Sequence, residues 1–292
     1  SSVWRSDGSG VASGSFTLRS GYGYDGNDGH AVVVHDSGGV RIGCGTLSEA
    51  RGGIHIHSGM SCAEASLVGG HYWTPASAAD PWTTTYGSGA GSVSGSFTIS
   101  SGYGVDGNLG HAVVVHAAST GARIGCGVLY PAGTPLSAAV GVYPGSSSDA
   151  PSGTVAVRSS GESDIAVEYD LAGIVPTLKT TMAAYPGSSG PGPTGSVAVE
   201  VRGADLTVVY SLEGLEANAA GGLHIHAGTS CADASLVGGH YWTPGTDADP
   251  WDSSSVWRSD GSGVASGSFT LRSGYGYDGN DGHAVVVHDS GG

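Results

Sequence analysis

The stretch GGIHIHSGMSCAEASLVGGHYWTP at residues 52–75 returns as GGLHIHAGTSCADASLVGGHYWTP at residues 221–244. Each copy holds two histidines one residue apart, a cysteine five residues on, and a third histidine after a Gly-Gly pair. Alternate side chains of a strand share a face, so His55 and His57 point the same way, as do His224 and His226. Two imidazoles on one face can hold one metal ion, and imidazole suits copper or zinc. His71 and His240 follow the Gly-Gly turns, and His116 and His288 end the strands Val113–Val115 and Val285–Val287.

The histidines are confined to a larger repeat. Residues 1–39 recur unchanged at 254–292, so the chain is one 253-residue period plus 39 residues of the next. Such uniformity reads as an array, with neither end expected to be a natural domain boundary. All twelve histidines fall inside duplicated segments, and His30 and His35 are the previous period's versions of His283 and His288. Within the period, unit A begins at residue 52 and unit B at residue 221. Between them lies a duplicated hairpin, 143–174 and 185–215, each copy a Pro/Gly/Ser turn followed by alternating strands such as Ile165–Tyr169 and Leu206–Tyr210.

The order of these pieces constrains the fold. Unit B has its hairpin directly before it, whereas only Ser48–Arg51 precedes unit A. Four residues at ~3.3 Å each cannot form two strands. Unit A therefore takes the hairpin at 143–174 and is circularly permuted, or halves are exchanged along the array. The expected domains are 1–50, the C-terminal half of a preceding unit B; 51–180, unit A with its hairpin; and 181–292, unit B truncated before its last strand.

Composition excludes several partners. The 292 residues are enough for about two domains. Glycine is 54 of them, which with abundant Val suits short strands and turns. The net charge of −15 and the single lysine, Lys179, argue against nucleic acid and acidic lipid surfaces. No apolar run reaches the ~18–20 residues of a membrane span. The cysteines of a lysine-poor, glycine-rich chain read as disulfides, pointing to an extracellular setting.

The set H-x-H, Cys, G-G-H, V-V-V-H and R-I-G-C-G, in this order and twice over, resembles the copper/zinc superoxide dismutase family. The resemblance covers most of the chain and implies an all-β fold of Greek-key barrels or sandwiches, two per period. It implies that His55, His57, His71 and His116 hold copper in unit A, and His224, His226, His240 and His288 in unit B, with His35 the earlier twin of His288. It further implies an anion-guiding arginine at Arg123 and at Arg41, a Cys62–Cys126 disulfide, and a bond from Cys231 to the counterpart of Cys44. Cys44 would then bond the Cys231 of the preceding period, with a Cys44–Cys62 bond as the competitor. The family's zinc site needs further histidines after the G-x-H histidine. Here the loops TPASAADPWTTTYGSG and TPGTDADPWDSSS have none, so the chain looks like the copper-only, tandemly repeated branch. Copper without zinc is expected, with Asp80 and Asp249 orienting His71 and His240.

Strand parity puts His111 and His283 on the opposite face, in a hydrogen-bonding role. Trp73, Trp82, Trp242 and Trp251 read as loop-packing aromatics rather than sugar platforms. GYGYDGNDG reads as a flexible glycine loop rather than a calcium site. Two functions follow. One is an extracellular structural array or filament of copper-binding barrels, self-associating with neighbouring repeats or chains. The other is a copper-only dismutase in tandem form, converting superoxide to oxygen and hydrogen peroxide.

Overall fold

The computed structural model describes residues 41–74, 79–131, 135–146, 150–243, 248–251 and 254–291. His35 and most of the expected 1–50 domain lie outside them. The first strands in chain order are β1 (Arg41–Thr46), β2 (Ser48–Glu49), β3 (Arg51–His57), β4 (Thr85–Gly87), β5 (Ser92–Ser100), β6 (Ala112–His116), β7 (Arg123–Val128), β8 (Tyr130–Pro131), β9 (Leu136–Val142), β10 (Ser152–Ser159) and β11 (Asp164–Ala172). There follow β12 (Thr177–Thr181), β13 (Ala183–Ala184), β14 (Thr194–Arg202), β15 (Asp205–Glu213), β16 (Ala220–His226), β17 (Val256–Arg258), β18 (Ala265–Arg272) and β19 (Ala284–His288).

Every pairing between them is antiparallel, so the chain is an all-β protein. Unit A follows the path β4-β3-β6-β7-β9-β10-β11-β5, with β8 added to β9. Its outermost strands, β4 and β5, are consecutive in the chain, so the path nearly closes into a barrel. Alternation decides which face is buried. Ile54, Ile56, Val113, Val115, Val155, Val157, Ile165 and Val167 point into one core. Fully burying such a side chain is worth ~1.5–3 kcal/mol. Val114, Ala112 and Cys126, of opposite parity, meet Val68 and Tyr143 in a small cluster on the outer face.

The hairpin β10–β11 pairs with β9 and β5, both of unit A and of the same chain. Unit B repeats the arrangement in two sheets, β13-β1-β19-β16-β17 and β18-β15-β14-β12-β2. Here β12 and β13 are the two arms of one bent strand, matching β9. In unit A these strands follow the histidine-bearing half of the barrel; in unit B they precede it. The same barrel is thus built from two chain orders.

Three expectations are corrected. Arg41–Thr46 joins unit B of the same chain. It pairs with β19 and β13, and its Cys44 is bonded to Cys231 of the same chain, 187 residues away. The segment Arg41–Thr46, which carries the RIGCG motif, fills the edge of unit B beside β19. The boundary near residue 180 also moves, because β12 (Thr177–Thr181) pairs with β14 of unit B. Finally, the GYGYDGNDG segment at 274–282 is not a loose glycine loop. Tyr277–Asn280 forms a helical turn, and the buried Asn280 donates from Nδ2 to the Gly276 carbonyl at 2.8 Å. Val105–Asn108 does the same in unit A through Asn108 and Gly104.

Two connectors join the barrels, and they lie side by side. Glu49 and Ser48 of β2 pair with Leu178 and Lys179 of β12. The Ala50 amide donates to the Thr177 carbonyl at 2.9 Å. Buried Ser88 donates from its hydroxyl to the carbonyls of Ala50 and Thr177. Across the same seam the Ser119 hydroxyl donates to Glu200 at 2.6 Å.

Candidate metal centres

Strand β3 presents His55 and His57 on the outer face of unit A, opposite Val114 and Ala112 of β6. Beyond β3 the chain runs through the Cys62 loop and a 3₁₀ turn at Ala65–Leu67, then returns so that His71 bridges the backbone of His57. The return needs a left-handed residue at Gly69, with φ of +72°, and Gly238 repeats it. The Cys62–Cys126 disulfide ties this loop to β7. His116 arrives at the end of β6.

The loop thus brings four histidines together. One ring nitrogen from each of His55, His57, His71 and His116 lies within 4.8 Å of the others, and the same holds for His224, His226, His240 and His288. Either cluster could hold a metal ion. The outward nitrogens are already engaged. His57 Nδ1 meets the Gly69 carbonyl at 3.0 Å, and His116 Nδ1 meets that of Gly121 at 2.8 Å. Those protons belong on Nδ1, leaving Nε2 bare. In unit B His226 Nδ1 meets the Gly238 carbonyl at 2.9 Å, and its buried Nε2 has no hydrogen-bond partner. Buried His55 Nδ1 and His224 Nδ1 likewise lack partners. Bare imidazole nitrogens converging in a partly buried space are what a cation needs and what a metal-free core avoids.

Electrostatics favours the same state. Burial, then the neighbouring imidazoles, push His55 down to about 3. Burial takes His57 down to about 4, with Arg123 adding to the effect. His224 falls to about 2 and His226 to about 3, again chiefly through burial. His116 is lowered by the same cause. His55, His57, His116, His224 and His226 are therefore neutral at pH 7, the form that ligates metal.

Asp80 fixes His71, its Oδ2 lying 2.6 Å from Nδ1, and Asp249 does the same for His240 at 2.7 Å. Burial opposes the charge on Asp80, but the Trp82 amide and His71 outweigh it and lower its pKa. Trp82 and Trp251 are buried loop-packing residues whose Nε1 groups donate to the carbonyls of Tyr72 and Tyr241. His111 stands outside the quartet. It faces the His57 carbonyl at 3.3 Å and stacks on Tyr72 at 3.8 Å, as His283 stacks on Tyr241.

Arg123 lies directly across the ladder from His116, and Arg41 from His288. A β-bulge follows each arginine, at Ile124 and Ile42, and re-aims the strand. Sequence reasoning assigned no role to Tyr143 and Tyr185, although both open a duplicated YPGSS. Their hydroxyls accept from Arg123 and Arg41 at 3.1 and 2.8 Å. No family model matches the chain, and no curated protein matches it.

Proposed function

We propose that the chain is a segment of an extracellular array of barrels of the copper/zinc superoxide dismutase kind, each holding one copper ion and able to dismutate superoxide. The supporting observation is the pair of histidine quartets, in which His57, His71, His116, His226 and His240 each have Nδ1 fixed by a carbonyl or carboxylate, while buried nitrogens of His55, His224 and His226 have no hydrogen-bond partner. The all-imidazole donor set suits copper or zinc, and copper(II) binds a given nitrogen site the more tightly of the two. A second ion bridged through His71 is disfavoured, because Asp80 already takes its Nδ1. When bound, copper would supply one-electron redox chemistry, in which two superoxide ions and two protons become oxygen and hydrogen peroxide.

The chain's own residues do the rest. Asp80 and Asp249 hold the tautomer of His71 and His240, so that Nε2 faces the quartet. Arg123 and Arg41 supply positive charge beside it in a chain whose net charge of −15 would otherwise repel an anion. The disulfides and the fourfold histidine scaffold hold the donors in place without the metal.

Metal analysis tests this reading. Purified protein should take up two copper ions per chain and no stoichiometric zinc, and the loaded form should accelerate superoxide decay. One zinc per barrel beside copper would sink the copper-only reading. A copper-loaded protein no faster than buffer would leave the structural array alone, which the knitted connectors Ser48–Arg51 and Ile174–Thr177 also support.

A further inference from the structure

The motif YPGSS occurs at 143–147 and 185–189. In both places it does more than turn the chain. The amide of Ser146 donates to the Tyr143 carbonyl, and that of Ser188 to the Tyr185 carbonyl, each at 3.0 Å. With proline second and a left-handed glycine third (Gly145 φ +84°, Gly187 φ +81°), each is a type II turn. The turn fixes the backbone of its first residue, the tyrosine. That backbone is anchored on its other side too: the Tyr143 amide donates to the carbonyl of the bulged Ile124, and the Tyr185 amide to that of Ile42, both at 3.0 Å. Each tyrosine is thus clamped to the residue that follows an arginine.

The side chains continue the pattern. Tyr143 and Tyr185 are 7% and 9% exposed, so their hydroxyls need partners inside the protein. Each accepts from the arginine and donates onward to a carbonyl, Ala65 or Ala234 at 3.4 Å, in the loop that carries the disulfide cysteine. The onward bond sets the hydroxyl's direction, leaving its lone pairs to the guanidinium. The guanidinium also lies over the ring, 5.8 Å from its centroid in unit A and 5.6 Å in unit B. In unit B the second guanidinium nitrogen of Arg41 donates to the Gly238 carbonyl, the acceptor already used by the ligand His226. One carbonyl therefore couples arginine and metal ligand.

We propose that Tyr143 and Tyr185 are positioning residues that hold Arg123 and Arg41 beside the histidine quartets, so that the guanidinium is a fixed anion site rather than a mobile surface charge. The proposal rests on the reading of these arginines as anion guides. A free arginine side chain loses substantial rotamer entropy whenever it orders around an anion. A tyrosine that has already ordered it removes that cost, the general advantage of preorganisation. The two copies draw the tyrosine from different places in the chain order, 20 residues after Arg123 and 144 after Arg41. The contact is nonetheless built the same way.

The experiment uses the copper-loaded chain and the double variant Tyr143→Phe/Tyr185→Phe, which keeps the rings and removes the hydroxyls. Azide is the anion probe, its binding followed by visible absorption. In parallel, NMR of the metal-free protein follows rotation of the Arg123 and Arg41 guanidinium groups. Loss of one hydrogen bond that orients the arginine should weaken azide binding about three- to tenfold, the range of an ordinary net hydrogen bond. Guanidinium rotation should speed up, while copper affinity stays unchanged. An Arg123→Ala/Arg41→Ala variant should lose more, and adding the tyrosine changes to it should cost nothing further. Unchanged azide binding and rotation in the phenylalanine variant, with the alanine variant impaired, would overturn the positioning role and leave the arginine reading standing. Full additivity of the two pairs would also overturn it. An alanine variant that binds azide like the parent would remove the arginine reading itself, whatever the tyrosines do.

Discussion

Acid should destabilise both barrels of the metal-free protein. In an unfolded chain histidine titrates near 6.5, but burial holds His224 at about 2 and His226 at about 3 in the folded protein. Between those values and 6.5 the unfolded chain binds more protons than the folded one. Stability is therefore complete above pH 6.5 and is lost as pH falls towards 3. At pH 5 each such histidine costs about 2 kcal/mol, at ~1.36 kcal/mol per pH unit, so the pair removes about 4 kcal/mol. That is a large share of the ~5–15 kcal/mol of a typical domain. In unit A, His55 and His57 stand at about 3 and about 4, also below pH 5, so that barrel loses stability in the same direction over the same range. The assay is urea unfolding of metal-free protein between pH 7.5 and pH 5 with disulfides intact. Unfolding midpoints should fall as pH falls, and the fall should be smaller in His224→Gln/His226→Gln. Unfolding midpoints equal at pH 7.5 and pH 5 would refute the reasoning, as would an unaltered pH slope in the double variant.

Other consequences are simpler to check. Reducing Cys62–Cys126, which spans 64 residues, should cost about 4 kcal/mol by the chain-entropy estimate, measured as the shift in urea midpoint after Cys62→Ala/Cys126→Ala. Asp80→Asn with Asp249→Asn should weaken metal binding about 10–100-fold in chelator competition while leaving the fold intact by circular dichroism. Asn280→Ala should lower unfolding free energy by about 1–3 kcal/mol, because it orphans backbone groups inside the Tyr277–Asn280 turn; a neutral result would mean the amide is dispensable there.

Much of the site was legible because its geometry is local. His55 and His57 share a face by strand parity alone, and the Gly-Gly pair announces the return that delivers His71. Asp80, nine residues beyond His71, was legible for the same reason. The Tyr143–Arg123 and Tyr185–Arg41 contacts were not, since no local period links a turn residue to a strand 20 or 144 positions away. Composition misled at GYGYDGNDG: glycine signals freedom, but a buried asparagine amide cancels it by capturing a backbone carbonyl. The partner of strand Arg41–Thr46 was not legible, because its sequence fits any unit B and chain order could not say which barrel takes it.

The side-by-side connectors carry load only once the Cys44–Cys231 disulfide is broken. Pulled from its two ends, the chain transmits tension through that covalent bond. Both connectors and the whole of unit A, with His55, His57, His71 and His116, lie inside the closed loop between the two cysteines and feel no pull. Reduction puts β2 and β12 into the path. Because they run antiparallel, the pull then opens their bonds one after another, like a zip, and releases unit A as a tethered bead. The disulfide is therefore a redox-gated lock on the chain's extensibility.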